Sequence, residues 1–427
     1  MVTRELRFNL TVVIVVLVFF LANLRALMFF ALHPELSSIF GFAWIEIGLW
    51  FLVAAGVSYS LIRDDLVSRY LSAWRFNWLV GLFVFLALIS ALWSIAPIVT
   101  LYRALELFFA AFVAAYIGIR YSPTQLMEIL FWFGAILLIL SLGLVFAAPK
   151  TGTMYWAPFD GAWRGMYWHR NHLGSITALI NMVYLCRAIT AIEESDKRGY
   201  LDGFFYVFSL VVIYFSESAT GYILILFLHF LVCCIWIWLR VHRHLQSRHY
   251  YATLGVFTVG LILIFSNLEF VFGLFNRSTT LTGRVGLWDN LLKYFVPERT
   301  WWGYGFGAAW NLDSFREEVR KHVGWTSQPL IADNGFLEIL LHLGVVGLLL
   351  FVGILLVALI RAFRYAYSQK TLTGFFPLLF LLYILIANIP FSLFAETEVF
   401  VWLLIVTTLF MTTSPSEGLM SSDQVAT

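Results

Sequence analysis

Long apolar runs broken by short polar turns dominate this chain, and their spacing predicts helices that cross a membrane. Runs near the roughly 20 residues a bilayer requires fall at 10–32, 40–62, 76–96, 98–119, 125–148, 172–192, 202–217, 220–240, 252–272, 335–360, 374–391 and 397–413. The pattern predicts an all-α polytopic membrane protein of about twelve transmembrane helices. Only Ser216, Glu217 and Ser218 separate the seventh run from the eighth. The first run, behind Arg4 and Arg7, is too long for a signal-peptide core, usually about 7–15 residues, and is expected to stay as a helix. One long polar interruption, about 273–334, is expected as an extracytoplasmic loop. Within it, Leu287, Trp288, Leu291, Leu292 and Phe295 share one helical face over 286–295, the pattern of a short helix lying in the interface with its aromatic face down. A second short helix is expected over 313–323, with Phe315 and Val319 four apart. Residues 1–413 read as a single transmembrane domain, and 414–427 as a small, polar, disordered tail on the cytoplasmic side.

Composition agrees with the pattern and excludes a soluble enzyme. The chain has 427 residues, 61% hydrophobic and 12% charged, against roughly 45–50% and 25% in soluble domains. A net charge of +2, with basic residues dispersed rather than gathered on one face, gives no footing for nucleic acid. Cys186, Cys233 and Cys234 lie in apolar runs without the paired spacing of a zinc or redox site. Neither metal, cofactor nor disulfide is expected.

Charge placement gives an orientation, because short cytoplasmic loops carry an excess of Lys and Arg. With the N-terminus inside, the inner loops hold Arg63, Arg69 and Arg75; Arg120; Arg187, Lys197 and Arg198; Arg240, Arg243 and Arg248; and Arg361, Arg364 and Lys370. Both termini are then cytoplasmic. Two outward segments nevertheless keep cations: 149–171, with Lys150, Arg164 and Arg170, and the long loop, with Arg277, Arg284, Lys293, Arg299, Arg316, Arg320 and Lys321. Long loops translocate regardless of charge, which accounts for the second. An anionic ligand is the simplest reason for the first.

Four constellations could carry chemistry. WRGMYWHRNHLG, Trp163 to Gly174, offers Arg164 and Arg170 as planar forks for phosphate oxygens, with His169 and Asn171 as hydrogen-bonding groups; an aromatic belt with snorkelling arginines explains the same residues. SESATG, Ser216 to Gly221, supplies Ser218 and Thr220 either to a ligand or as caps of the following helix. TLTGRVGLW sets Arg284 at a helix start, a good anion site, and is followed by GYGFG, Gly303 to Gly307, which suits a tight backbone turn. ADNGFLEILLHLGVVG, Ala332 to Gly347, sets Asp333 where the loop re-enters the membrane, as a general base or a helix cap. Arg103 and Glu106, inside the fourth run, are spaced to pair along one face; such charges are functional candidates or a structural ion pair.

In this order, with WSIAP (Trp93 to Pro97), Arg103, GYGFGAAW and ADNGFLEILLHLGVVGLLLF, the segments resemble the O-antigen ligase and Wzy-type polysaccharide polymerase superfamily, most of all its exopolysaccharide polymerase branch. The resemblance covers roughly Trp93 to Phe351. It implies a metal-independent membrane glycosyltransferase of the bacterial inner membrane whose site faces the periplasm or exterior. The implied partners are a glycan on undecaprenyl pyrophosphate as donor, an acceptor glycan (a lipid-linked repeat or lipid A core), the bilayer and, as a further candidate, a chain-length regulator protein. It also implies that outer-loop arginines hold the pyrophosphate, which maps onto Arg164 and Arg284. The family's usual base is a His at the head of the 332–347 motif; here that position is Asp333, and a His stands at His342, where an acid is often found. His169 is a second candidate base. Arg170, His169, Asn171, Ser218, Thr220, Trp288, Tyr304 and Asn334 are expected to bind substrate. Polymerase and ligase share this chemistry and differ in acceptor. A transporter or flippase is the alternative of another class, which would place charges near the midplane of broken helices.

Overall fold

The structure, a computed structural model, describes residues 10–23, 41–155, 159–241, 284–324, 331–389 and 398–413. The predicted run at 252–272, Arg277, residues 280–283 and the tail lie outside them. The described residues are mostly helical, with one isolated β-bridge between Thr153 and Trp163. In chain order the helices are α1 (Leu10–Ala22), α2 (Gly41–Arg63), α3 (Val67–Phe76), α4 (Trp78–Ile89), α5 (Pro97–Arg120), α6 (Pro123–Ala147), α7 (Arg170–Glu194), α8 (Gly199–Ser216), α9 (Ala219–Val241), α10 (Arg284–Asn290), α11 (Asp313–Val323), α12 (Gly335–Gln369), α13 (Leu372–Ala387) and α14 (Glu398–Met411).

Seven of these are long and apolar enough to cross a membrane, or eight if α3 and α4, bent by 79°, count as one broken span. Three shorter apolar helices, Val13–Ala22, Leu372–Ala387 and Val399–Met411, fall on other predicted runs. The expectation of about twelve therefore stands at seven or eight among the described residues. The α3–α4 bend, which the apolar pattern did not predict, comes at Asn77. Arg361 donates to its side-chain oxygen and to the carbonyl of Phe76 at 3.1 Å, so the backbone oxygen exposed at the bend is satisfied.

Within the expected domain the chain forms two compact units. The first is Met1–Ile129, Gly286–Tyr365 and Ala387–Thr427; the second is Leu130–Val285 and Ala366–Ile386. In the first, α14 lies against the small-residue face of α5. Ala104, Ala110, Ala111, Ala114 and Ala115 are buried, and Gly118 leaves no room for a Cβ beside the Thr407 carbonyl. Close backbone approach of this kind, with polar groups as ties, holds helices together where lipid is as apolar as the side chains. The ties are Trp402 Nε1 to the Leu107 carbonyl (3.1 Å) and Thr407 Oγ1 to that of Ala114 (3.3 Å).

The loop helices correct one expectation. Leu287, Leu291 and Phe295 do not face a bilayer: they are buried among Tyr304, Trp310, Phe315, Val319, Leu337 and Leu341, while Leu292 is 51% exposed. Helix α10 ends at Asn290 and continues as a π turn over Leu291–Phe295, which turns Phe295 onto the ring of Phe315, 5.3 Å away. The second loop helix occupies Asp313–Val323 with Phe315 and Val319 inward, as the spacing predicts.

In the second unit α7 and α9 pack closely at their starts. A Cβ on Gly221 would lie 3.1 Å from the Cα of Gly174, and one on Gly174 would strike Ser218. Glycine at both positions lets the two helix starts touch. Further along, Asn181 donates to Ser209 Oγ at 2.8 Å and Arg187 pairs with Asp202 at 2.8 Å, tying α7 to α8.

Candidate functional site

The sequence-selected residues divide between the units. Arg164, His169, Arg170, Asn171, Ser218, Thr220 and Arg284 fall in the second; Trp288, Tyr304, Asp333 and Asn334 fall in the first.

In the second unit the 149–169 loop is organised around Arg164. This arginine is 2% exposed; Nε donates to the Thr151 carbonyl (3.0 Å), Nη1 to that of Trp168 (3.3 Å) and Nη2 to that of Lys150 (3.1 Å). Such a guanidinium holds a loop together. Burial lowers its pKa, and the neighbouring Tyr155 ring, 5.0 Å away, favours the charge. Arg170, 4% exposed, donates to the Glu217 carbonyl and lies over the Phe159 ring at 3.9 Å. It thereby fastens α7 to the 216–218 turn. Trp163 stacks on Phe215 with centroids 4.6 Å apart. Arg284 is half-buried at the start of α10, the most open of the three arginines.

His169 is the N-cap of α7: its Nδ1 accepts the Asn171 backbone N–H at 3.2 Å. The neutral ring then carries its proton on Nε2. Burial, then the nearby charges of His172, Arg170, Arg284 and Arg164, push its pKa down to about 3. A general base works best with a pKa near the operating pH, and here one nitrogen is engaged in capping and the other protonated. The geometry favours His169 as a cap and hydrogen-bond donor. Ser218 caps α9, accepting from Gly221 N at 3.1 Å, and also donates to Asn171 Oδ1 at 3.2 Å. Ser218 thus follows the capping reading of SESATG and ties α9 to the start of α7. Thr220 is buried in the first turn of α9.

In the first unit the motifs converge on α12. This helix carries a break at Gly344 (φ 66°, ψ −165°), and the 300–305 segment crosses it. Tyr304 N donates to the Leu341 carbonyl (2.8 Å) and Gly305 N to that of His342 (3.0 Å), while Val345 N donates to the Thr300 carbonyl (2.8 Å). Backbone groups opened by the break are therefore paired with protein. Gly303, Gly305 and Gly307 all have positive φ, and Cβ atoms there would strike the His342 backbone, Ser94 and Arg103 respectively. Thus GYGFG is a turn pressed between α12 and the start of α5, and Ile95 N donating to the Tyr304 carbonyl at 3.0 Å joins it to WSIAP. Arg103 and Glu106 pair at 3.8 Å, beside this turn. Tyr304 is buried, its hydroxyl 2.9 Å from the Phe295 carbonyl and 2.7 Å from Glu298. A cavity of about 650 Å³ beside it is lined by Trp93, Glu298, Arg299, Trp301 and Trp302. Aromatic faces with charged groups between them suit a sugar.

Asp333 is half-buried and left-handed (φ 54°) just before α12. The cap of that helix is its neighbour: Asn334 Oδ1 accepts from Phe336 N and Leu337 N, each at 3.0 Å. The break at Gly344 lies beyond His342, so His342 stays on the same helical stretch as Glu338, its Nε2 3.6 Å from Glu338 Oε2. Both are buried.

Sequence reasoning passed over Glu338, whose side chain accepts from Trp310 Nε1 at 2.6 Å and from the Ala332 backbone N–H. Its signal was an acid inside an apolar run, one turn before a histidine. Trp301, Trp302 and Arg299 were also missed as a group, since only folding sets them beside Trp93.

Residues 204–352 match the O-antigen ligase family. The stretch runs from α8 into α12 and includes Ser218, Thr220, Arg284, Trp288, Tyr304, Asp333 and Glu338, but begins after the 163–174 motif. It supports the resemblance to the O-antigen ligase and Wzy-type superfamily, and with it a membrane glycosyltransferase of ligase or polymerase type. No curated protein matches the chain.

Proposed function

We propose, from this match to the O-antigen ligase family, that the protein transfers a glycan from undecaprenyl pyrophosphate to an acceptor sugar hydroxyl, extending a polysaccharide by repeat units at the outer face of the bacterial inner membrane. The acceptor oxygen bonds to the anomeric carbon and the bond to the diphosphate breaks, the electron pair leaving with the diphosphate. Asp333 takes the hydroxyl proton, and Arg284 stabilises the charge on the departing diphosphate. Fixed cations aimed at developing charge are a principal catalytic device, and holding both substrates in line supplies much of the rest. Arg164 and Arg170 shape the loop that carries His169 and Asn171, and the tryptophan-lined cavity beside GYGFG offers a surface for sugar.

The observation that carries this reading is the family match over 204–352, which takes in both Arg284 and Asp333. The test is purified protein in lipid given the undecaprenyl-linked repeat alone. A ladder of longer glycans is expected. Product formed only after lipid A core is added would replace the polymerase with a ligase, the activity named in the family's description; no product in either mixture defeats both.

A further inference from the structure

Asp333 lies in a short turn that the first unit grips on both sides. On the far side, Asn334 caps α12 and donates from Nδ2 to the Ile389 carbonyl at 3.2 Å, and Gly335 N donates to the Asn388 carbonyl at 2.9 Å. On the near side, both backbone polar groups of the fully buried Ala332 are taken by side chains. Its N–H donates to Glu338 Oε1, and its carbonyl accepts from Trp288 Nε1 at 2.7 Å. That carbonyl belongs to the peptide unit joining Ala332 to Asp333. Holding it fixes the plane from which the left-handed φ of Asp333 starts, a conformation that non-glycine residues keep where surroundings impose it.

The two clamping groups are themselves held. Glu338 is 0% exposed, and its Oε2 accepts the Trp310 indole N–H. Trp288 packs against the cluster formed by Leu287, Leu291 and Phe295. Its N–H is engaged with backbone rather than turned to a ligand, in contrast to the substrate contact expected from sequence.

We propose that Trp288 and Glu338 are positioning residues for Asp333: an indole N–H and a buried carboxylate, brought from two different helices, clamp the residue before the acid and so set where its carboxylate stands. This rests on the reading of Asp333 as proton acceptor. A misplacement of about 1 Å can cost roughly 10²-fold in rate, so the clamp belongs to turnover more than to binding.

Trp288→Phe keeps an aromatic ring in the cluster and deletes the donor; Glu338→Gln keeps the shape and replaces one acceptor oxygen by a donor. In the glycan-ladder assay, with each protein monodisperse and matched in amount, both are expected to lower kcat by roughly 10- to 100-fold with KM within about twofold. In an Asp333→Glu background, where the carboxylate is already displaced, Trp288→Phe should cost clearly less than in wild type, since coupled residues are non-additive. Equal losses in the two backgrounds, or wild-type kcat in both single variants, overturn the positioning role while leaving Asp333 as base. Wild-type turnover in Asp333→Asn overturns the base itself. Where Trp288→Phe fails to fold, Glu338→Gln decides alone through the same cycle.

Discussion

Arginines alike in sequence do different work once each is followed to its partners. Arg164 divides its donors among the carbonyls of Lys150, Thr151 and Trp168, whereas Arg284 stands half-open at a helix start. Arg284→Ala is expected to lower turnover by roughly 10²-fold or more, measured on monodisperse protein at matched amount. Arg164→Ala should instead cost on the order of 3 kcal/mol of stability, because buried carbonyls lose their donors, and would show as a lowered melting temperature. His169 gives a prediction in pH. Its folded pKa is about 3 against an ordinary 6.5, so between those values the unfolded chain binds more protons and folding loses free energy as pH falls. Its contribution is complete above about pH 6.5 and lost progressively toward pH 3. His169→Asn, which keeps an oxygen for the Asn171 N–H, should flatten melting temperature against pH in that window; an unchanged slope would remove His169 as its source.

Elements here are shaped by where they interrupt themselves. Helix α12 breaks at Gly344 and α3–α4 bends at Asn77, and in each case a distant segment supplies the missing hydrogen bonds. The GYGFG turn is the clearest case, since it answers the α12 break and seats on Ser94 and Arg103 together. Gly305, at φ 101° with a Cβ placed 2.3 Å from Ser94 Oγ, should tolerate no side chain. Gly305→Ala is expected to destabilise by roughly 2 kcal/mol or more. Gly286→Ala, where a Cβ meets nothing within 4 Å, should change stability by less than about 0.5 kcal/mol. Thermal unfolding of both variants in the same detergent checks the pair, and equal losses would contradict the steric account.

At the scale of the whole molecule, the orientation rests on the Lys and Arg excess in short loops and is open to direct chemistry. After replacement of Cys186, Cys233 and Cys234, a cysteine at Lys321 should react with a membrane-impermeant thiol reagent added outside intact spheroplasts. One at Gln369, at the end of α12, should react only after permeabilisation. The reverse pattern would invert the chain and move Asp333 to the cytoplasmic side.

Hydrophobic period and loop charge are local, additive properties, and so the sequence alone determined the helical membrane architecture, the helix boundaries near Pro97, Pro123, Ala219 and Asp313, and the segments in which polar groups gather. The same locality explains what it missed. Whether an apolar face such as that of Leu287 and Leu291 meets lipid or protein depends on what else arrives there, and here Tyr304, Trp310 and Phe315 do. Whether Arg164 holds a loop or an anion depends on carbonyls up to fourteen residues away. Glu338, one acid in an apolar run, gained its partner Trp310 only through the docking of the 296–324 segment onto α12. Sequence set which groups were available in the polar segments; tertiary structure decided which of them are tied to backbone, because a buried donor or acceptor takes the nearest partner the fold supplies.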